Sequence, residues 1–400
     1  MDTKGDRPLD SIKVLELGQL IAGPQAGCVL AYFGAEVIKV EPPGKGDPIR
    51  GWRLLDSSGT SYWWQSIGRN KKSISVDLKT DKGRALVRQL IGKVDIVLEN
   101  FRPGTLEKWG MDPEDIKRSH PEVVFVRVSG YGQSGPRASQ PGYASACEAY
   151  GGFRYVNGFA DRPPVRPNLS LGDTLASMHA VIGALLALFA KNRTGKGQVV
   201  DVSIFESVYN MMESVVPEYS ATQTVREPSG STLTGIVPTN TYLCSDGKYV
   251  VIGGNGDSIF KRLMSCAGRG DLAADVRLSD NAGRVQHEAE IDQAITEWTK
   301  KYSADVVLEY LKEAEVPSGP IYSVEDMFDD SHYRARGLFE SVQYSEGELE
   351  VAAIHPRLSE TPGRTDRGGP ELGEHTNDVL RDYLQLSDAQ IAQLRSEKVV

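Results

Sequence analysis

The chain has 400 residues with 40% hydrophobic side chains, which is enough for two domains of an ordinary globular protein. Its formal net charge of -9 at pH 7 excludes non-specific nucleic-acid binding, because that activity needs clustered excess Lys and Arg. The four cysteines lie in no CxxC pair and near no histidines at metal-ligand spacing, so they predict reduced thiols and no metal site. Met1–Asp6 carries no apolar stretch of a signal peptide, which favours a cytoplasmic protein.

The first part of the chain alternates short β-branched runs with helical segments, a pattern that builds a parallel sheet covered by helices. Strands are predicted at 14–17, 36–40, 73–78, 94–98 and 123–128, and helices at 25–33 and 80–91. We therefore expect an α/β fold with a mostly parallel sheet.

A long helix is predicted at 172–191, ending where glycines and basic residues form a stop signal at 192–197. Its most apolar part, 176–190, is shorter than the roughly 20 residues of a membrane span and contains His179. We interpret it as a buried core helix. A further strand is predicted at 198–203.

The following segment predicts a smaller α+β lobe. A β-hairpin is expected from strands 241–244 and 249–252, and helices are expected at 259–266, 288–300 and 303–314, before a loop at 316–320. The rest gives a strand-like stretch, a loop at 356–369 and two short helices. The predicted division is a large domain at 1–225, a small domain at 226–330 and a return to the large domain at 331–400.

The turn after the first strand raises the alternative of a dinucleotide site. Gly18 and Gly23 lie there, and Glu41 ends the next strand. The spacing does not match G-x-G-x-x-G, because the second and third glycines are missing. The two glycines are better interpreted as turn residues at the carboxyl edge of the sheet, where α/β proteins place their ligands.

Basic residues come at two strand ends, in 69–72 and in 100–104, with Lys108 one helical turn further on. Each run taken alone is typical of a solvated surface. Together, with Phe101 available to pack on a ring, they favour a ligand that carries phosphates and an aromatic base.

Asp173 begins the long helix and has two interpretations. Aspartate is a favoured N-cap, and capping alone would explain it. A helix N-terminus also keeps a carboxylate ionised, and an ionised carboxylate can attack an acyl carbon. The residues by themselves leave both open. The loop Gly253–Gly256 is likewise either an ordinary turn or a mobile flap whose N–H groups approach a reacting centre.

In this order the motifs resemble family III CoA-transferases, the group that includes formyl-CoA transferase and carnitine CoA-transferase. The motifs that carry the resemblance are Val14–Leu17 with Ala22–Pro24, Gly34–Glu41, Asn70–Ser73, Glu99–Gly104, Ser129–Gln133, Gly172–Asp173, Arg193–Ser203 and Leu372–Thr376. The resemblance covers nearly the whole chain.

The resemblance implies that Asp173 is the catalytic nucleophile, forming an aspartyl-CoA thioester through mixed anhydrides. Coenzyme A or its acyl ester is then a substrate, and no cofactor is tightly bound. Backbone donors near Asp173 and in the active-site loop Gly253, Gly254, Asn255 and Gly256 are expected to stabilise oxyanions. The residues that match the family's contacts with coenzyme A are Ile21, Lys71, Lys72, Asn100, Phe101, Arg102 and Lys108.

The family's fold is a Rossmann-like large domain made from both chain ends, joined to a smaller lobe, with two subunits threaded through one another. An interlocked homodimer is therefore implied, without excluding a homologous second subunit. No nucleic acid or membrane is expected as a partner.

Three departures bear on the activity. Related α-methylacyl-CoA racemases carry a histidine where this chain has Tyr143, so racemisation ranks second to CoA transfer. Ala144 replaces a glutamate of formyl-CoA transferase, and Asn255 interrupts its four-glycine loop, which disfavours oxalate. A nucleotide-binding protein without chemistry ranks far behind.

The acyl partners are predicted from two arginines near Asp173 in the sequence. Arg154 and Arg166 are each able to pair with a second carboxylate, although arginines in a Pro-rich loop are more often surface residues. We therefore expect succinyl-CoA as donor and a dicarboxylate such as malate, mesaconate, glutarate or an aryl-substituted succinate as acceptor.

Overall fold

The computed structural model describes residues 7–400. Met1–Asp6, on which the expectation of a cytoplasmic protein rests, lies outside the described residues. The chain divides into two compact units. The first comprises the described chain up to Phe153 with Pro167–Glu213 and His332–Val400, and the second comprises Arg154–Arg166 and Ser214–Ser331. The domain boundaries at 225 and 330 stay a prediction.

In the first part of the described chain each strand is followed by at least one helix, whereas some later strands follow one another directly. The strands are β1 (Lys13–Glu16), β2 (Glu36–Glu41), β3 (Lys71–Ser75), β4 (Ile96–Glu99), β5 (Val124–Ser129), β6 (Val199–Ser203), β7 (Thr239–Leu243), β8 (Tyr249–Gly253), β9 (Ser318–Pro320), β10 (Phe339–Tyr344) and β11 (Gly347–Ala352). The helices up to residue 222 are α1 (Ala22–Tyr32), α2 (Tyr62–Ile67), α3 (Asp81–Ile91), α4 (Thr105–Lys108), α5 (Pro113–Ser119), α6 (Ala144–Tyr150), α7 (Phe153–Val156), α8 (Leu171–Thr194), α9 (Ile204–Tyr209) and α10 (Val215–Thr222).

The later helices are α11 (Asp257–Cys266), α12 (Gly270–Ala273), α13 (Asn281–Gln286), α14 (Glu288–Thr299), α15 (Ala304–Glu313), α16 (Val324–Asp329), α17 (Ser331–Ala335), α18 (Thr376–Leu384) and α19 (Asp388–Ser396). Short 3-10 turns cover Pro48–Gly51 and Val276–Leu278.

The first unit contains a six-stranded sheet in the order β3-β2-β1-β4-β5-β6, with every neighbouring pair parallel. Its central strands are rich in Val, Ile and Leu and are buried on both faces, as expected when helices cover both sides. The predicted α/β fold with a parallel sheet is therefore confirmed. The strand order reverses between β1 and β4, and open α/β sheets bind ligands at the carboxyl end of such a switch point.

Helix α8 packs one side on this sheet and leaves the other exposed. Its buried side is formed mainly by small residues, namely Ala176, Ala180, Ala184 and Ala187, together with Leu188. Its opposite side exposes large apolar residues, namely Met178, Ile182, Leu185, Leu186 and Phe189. The interpretation as a fully buried core helix was therefore wrong for the single chain. Within residues 7–400, this helix alone has the length and composition that could cross a membrane, a test that the core helix of a soluble protein also passes.

The C-terminal segment covers the edge of β3. Gly373 N donates to Ser73 Oγ at 2.9 Å, His375 N donates to Ser73 O at 2.9 Å, and Ser75 N donates to Thr376 Oγ1 at 2.9 Å. An exposed strand edge invites association with other chains, and these bonds satisfy its polar groups within the same chain. The Leu372–Thr376 motif thus has a structural role in tying the chain end to the sheet.

The second unit has its own core around a small antiparallel sheet. β7 and β8 form the predicted hairpin, and β9 pairs with β8 on its other side. The expectation of a loop at 316–320 was wrong for Ser318–Pro320. Gly319 and Pro320 argue against a strand in sequence, but β9 is an edge strand, where a residue without an N–H group is tolerated.

Candidate active site

A buried ionic network lies at the carboxyl end of β1 and β2. The Lys39 ammonium lies 2.9 Å from Glu16 Oε1 and 2.8 Å from Asp47 Oδ2, and it donates to Gly18 O at 2.8 Å. All three charged side chains are fully buried. Burial by itself would lower the pKa of Lys39, but the charges of Asp47 and Glu16 raise it. The network therefore holds the turn that follows β1.

The same network fixes Leu20, whose φ of 66° is unusual for a residue with a side chain. Leu20 N donates to both carboxylate oxygens of Asp47, at 3.0 and 3.1 Å. Asp47 also accepts from Ile49 N at 3.0 Å, so it caps the short 3-10 turn there. Asp47 thus holds the turn at the carboxyl end of the sheet in a conformation that a residue with a side chain rarely adopts.

Glu41, at the end of β2, is buried and receives two hydrogen bonds from the Arg50 guanidinium, each at 2.8 Å. Arg50 in turn lies over the Trp64 ring, 3.8 Å from its centroid. Burial by itself would raise the pKa of Glu41, but the hydrogen bonds of Arg50 and the charge of Lys39 lower it to about 2. Glu41 is therefore ionised in the folded protein well into the acid range.

The low pKa of Glu41 makes stability depend on pH. Because the folded pKa is about 2 and the unfolded value is 4.5, the stabilisation is complete above pH 4.5 and is lost as the pH falls towards 2. We expect Glu41 to account for about 3 kcal/mol of this loss. Urea unfolding at a series of pH values measures it. Glu41→Gln should be less stable at neutral pH but show a shallower slope below pH 4.5, and an unchanged slope would contradict the assignment.

Asn100 joins the carboxyl ends of β1 and β4 at the switch point. Its Oδ1 accepts from Gln19 N at 2.8 Å, and its Nδ2 donates to Gln19 O at 2.8 Å. A Cβ on Gly18 would lie only 2.6 Å from Asn100 Oδ1, so glycine is needed there for this close approach. The Asn100 amide thus holds the two turns together, and its contact with coenzyme A stays a prediction.

Arg127, on β5, holds the loop that follows β4. Arg127 Nε lies 2.7 Å from Glu99 Oε1, and its Nη1 lies 2.9 Å from Glu107 Oε1 on α4. Glu99 Oε2 also accepts from Phe101 N at 2.7 Å. Both ends of the segment that carries Arg102 are therefore fixed by one buried arginine.

The residues predicted to contact coenzyme A differ in how deeply they are buried. Phe101 packs edge-to-face on Trp109, with ring centroids 5.1 Å apart, while Arg102 and Lys108 are exposed. Exposed cations beside an aromatic ring suit phosphates and an adenine base.

The remaining predicted contacts lie deeper. The Lys71 ammonium is fully buried 2.8 Å from Glu16 Oε2 and donates to Pro24 O at 2.6 Å. Burial lowers the pKa of Lys71, against the opposing charge of Glu16. Lys72 pairs with Glu36, and Ile21 is buried at the start of α1. The Lys71 side chain therefore has a structural role, and its contact with coenzyme A stays a prediction.

Asp173 is the third residue of α8 and is not its N-cap. The helix starts at Leu171, and Ser170 occupies the N-cap position. Among the described residues, Ser170 makes no side-chain capping bond. Instead, the carboxylate of Glu148 on α6 accepts from Gly172 N at 3.1 Å. The expectation that Asp173 begins the helix was thus wrong by two residues, because a distant carboxylate takes over the capping.

The pKa of the Cys147 thiol, next to Glu148, depends on the charges in this region. Its thiol donates to Gly130 O at 3.3 Å. Burial, and next the negative charge of Asp173, raise the pKa of the Cys147 thiol to about 11. The thiol therefore stays protonated at neutral pH and is a poor competitor for an acyl group.

The second unit contains the other predicted site residues. Gly253 ends β8, Gly256 is the N-cap of α11, and the fully buried Arg284 donates to Asn255 O at 2.6 Å between them. Arg154 lies on α7, and Arg166 lies in the exposed segment after it. The function of this loop and of these arginines stays a prediction. In residues 7–400, no cluster of His, Cys, Asp or Glu suits a metal ion.

Sequence reasoning missed Glu148, Lys39, Arg127 and Arg284. A buried charged side chain leaves little signal in a single sequence, because its neighbours along the chain do not reveal its partner. Lys39 alone offered a hint, since a lysine within the apolar run of β2 is unusual for a buried strand.

Comparison with known proteins gives one consistent result. A sequence model described as CoA-transferase family III matches residues 9–376. Succinyl-CoA–D-citramalate CoA-transferase of Chloroflexus aurantiacus is 47% identical over 395 residues, covering 98% of each chain. The alpha subunit of succinyl-CoA–L-malate CoA-transferase of Chloroflexus aurantiacus is 39% identical over 98% of this chain and 92% of its own. A crystal structure of a CAIB/BAIF family protein from Brucella suis matches with a TM-score of 0.84 and 33% identity, covering 94% of this chain and 100% of that one.

Proposed function

Since the chain belongs to CoA-transferase family III, we propose that it moves coenzyme A from succinyl-CoA to a small dicarboxylate through a covalent intermediate on Asp173. CoA transfer itself follows from the family and from relatives that are named CoA-transferases, which confirms its rank ahead of racemisation. The observation that carries the choice of donor and acceptor is the 47% identity, over nearly the full length of both chains, to an enzyme named for succinyl-CoA and D-citramalate.

The acceptor that we propose is a hydroxylated dicarboxylate of the citramalate or malate type. The two relatives named above act on such acids, according to their names. A dicarboxylate has one carboxyl group to activate and one to be recognised. Arg154 and Arg166 are the proposed partners of the second group, since a guanidinium forms paired hydrogen bonds with a carboxylate.

The position of Asp173 supports the covalent step. It lies in the first turn of a 24-residue helix, where the N–H groups favour a carboxylate, and it is not fully buried. The carboxylate attacks the thioester carbonyl and gives a mixed anhydride with release of CoA thiolate. The thiolate then attacks the aspartyl carbonyl, releasing succinate and leaving an aspartyl-CoA thioester. The acceptor carboxylate repeats the two steps in reverse, which returns Asp173 as a free carboxylate.

The proposed site for coenzyme A lies at the carboxyl end of β4. Arg102 and Lys108 would meet its phosphates, and Phe101 would pack on its adenine. The geometry that supports this is the exposure of the two cations and the anchoring of their loop by Arg127. The loop Gly253–Gly256 is proposed to exclude water, because hydrolysis of an anhydride would waste the acyl group.

We also propose a homodimer of interlocked subunits, without excluding a homologous partner. The exposed apolar side of α8 supports this, because a row of large apolar residues on the surface of one chain favours burial against another. Light scattering that returned the mass of a single chain would contradict the proposal.

The covalent step is tested by trapping. The protein is incubated with succinyl-CoA alone, treated with hydroxylamine or mild borohydride, digested and analysed by mass spectrometry. We expect a mass change confined to the peptide that contains Asp173, and no change when succinyl-CoA is left out. Transfer of CoA without modification of this peptide, or modification of another residue, would contradict the mechanism.

A further inference from the structure

A buried carboxylate approaches the Leu171–Gly172 peptide bond, one residue before the proposed nucleophile. Glu148 lies on α6, its side chain is fully buried, and its Oε1 accepts from Gly172 N at 3.1 Å. Burying a carboxylate costs free energy unless hydrogen bonds offset the loss of water. Packing alone therefore does not explain why a glutamate, rather than an apolar residue, occupies this position.

The N–H groups at the start of α8 provide an explanation. The first N–H groups of any helix lack partners within the helix, and a side chain at the N-cap position normally accepts from one of them. Ser170 does not do so with any described residue, and Glu148 takes its place from another helix. Asp173 is the third residue of the helix and does not occupy the N-cap position that its sequence position suggested.

Gly172 allows this close contact because it has no side chain. A Cβ at this position would lie 3.2 Å from Glu148 Cγ and 3.0 Å from Ile204 Cγ2. Contacts this short require the neighbours to shift by a few tenths of an ångström. The backbone at Gly172 thus lies directly against the Glu148 side chain. Because Asp173 is the next residue in the chain, the position of Gly172 also restricts the backbone of Asp173.

The charge of the region agrees with this geometry. Asp173 and Glu148 are both among the groups that raise the pKa of the Cys147 thiol. The two carboxylates are therefore both close enough to this thiol on α6 to affect its pKa.

We propose that Glu148 is a positioning residue for CoA transfer, fixing the Leu171–Gly172 peptide so that the carboxylate of the next residue, Asp173, is aimed at the thioester. This inference rests on the proposed role of Asp173. A misplacement of about 1 Å at a reacting group costs on the order of 100-fold in rate, so a single hydrogen bond at this peptide has kinetic consequences.

The test compares Glu148→Gln, which keeps an acceptor oxygen of the same reach, with Glu148→Leu, which removes it. We expect Glu148→Leu to lower kcat by about 100-fold while the KM for succinyl-CoA changes by less than about threefold, because a misaligned nucleophile slows the chemical step more than it weakens binding of the ester. Glu148→Gln should restore kcat to within about fivefold of the wild type. Formation of the trapped aspartyl intermediate in a single turnover should follow kcat.

A matched control separates positioning from general loss of stability. Val379 is buried on α18 in a different core cluster, so Val379→Ala should lower the melting temperature without lowering kcat. If Glu148→Leu does not yield folded protein, Gly172→Ala replaces it, since this variant displaces the same N–H group from an intact Glu148. It should show the same selective loss of kcat.

The inference is overturned if folded Glu148→Leu, or Gly172→Ala in its place, keeps wild-type kcat, or if Glu148→Gln loses as much as Glu148→Leu. The activity of Asp173→Asn distinguishes failure of the positioning role from failure of the proposed nucleophile. Inactive Asp173→Asn with fully active Glu148→Leu would remove only the positioning role, whereas active Asp173→Asn would remove the proposed nucleophile itself.

Discussion

Asp173→Asn is expected to abolish CoA transfer, lowering its rate by at least about 10,000-fold, the scale observed when a covalent nucleophile is removed. The physical reason is that an amide cannot attack the donor thioester or hold coenzyme A while succinate leaves. The fold should persist, because a carboxylate in the first turn of a helix contributes only about 0.3 to 1 kcal/mol. Transfer of labelled succinate into succinyl-CoA measures the loss, and thermal unfolding measures the fold.

A matched control uses another aspartate in a helix first turn. Asp81 begins α3, its side chain is almost fully exposed, and it pairs with Arg84 on the same helix. Asp81→Asn makes the same chemical change at a helix N-terminus and should leave the transfer rate unchanged. Transfer by Asp173→Asn above about a tenth of the wild-type rate would contradict the covalent mechanism.

Lys39→Met is expected to destabilise the first unit by about 3 to 5 kcal/mol. The fully buried ammonium lies between Glu16 and Asp47, and its removal leaves both carboxylates buried with one partner fewer. Asp47 would then have to hold Leu20 in its unusual conformation without its own counter-charge. Urea unfolding monitored by circular dichroism gives the change in the free energy of unfolding.

A lysine on the surface provides the comparison. Lys82 pairs with Glu397 at 2.5 Å, but 60% of its side chain is exposed. Lys82→Met should therefore cost less than about 1 kcal/mol, because water screens such a pair. If the two variants lost the same free energy, the buried network would not have the role assigned to it.

The parallel sheet was predictable because its signal is local. Short β-branched runs between helical segments predict β1, β2, β4, β5 and β6 to within two residues at each end. The predicted β3 began two residues and ended three residues too late, since Lys71 and Lys72 resemble a polar run, although the Lys71 side chain is buried. The edge strand β9 was missed because glycine and proline usually mark a turn.

The sequence by itself determined the class of fold, the family and the candidate nucleophile, since these depend on periodicity and on motifs read in order along the chain. The tertiary structure decided what each charged group does. Glu16 and Lys71 are 55 residues apart in sequence, and Glu148 and Gly172 are 24 apart. Such partners are chosen by how the strands and helices pack, and a carboxylate or ammonium removed from water takes whichever opposite charge or N–H group that packing brings within reach. For this reason Asp173 was found in sequence, whereas the residue that caps its helix was found only in the fold.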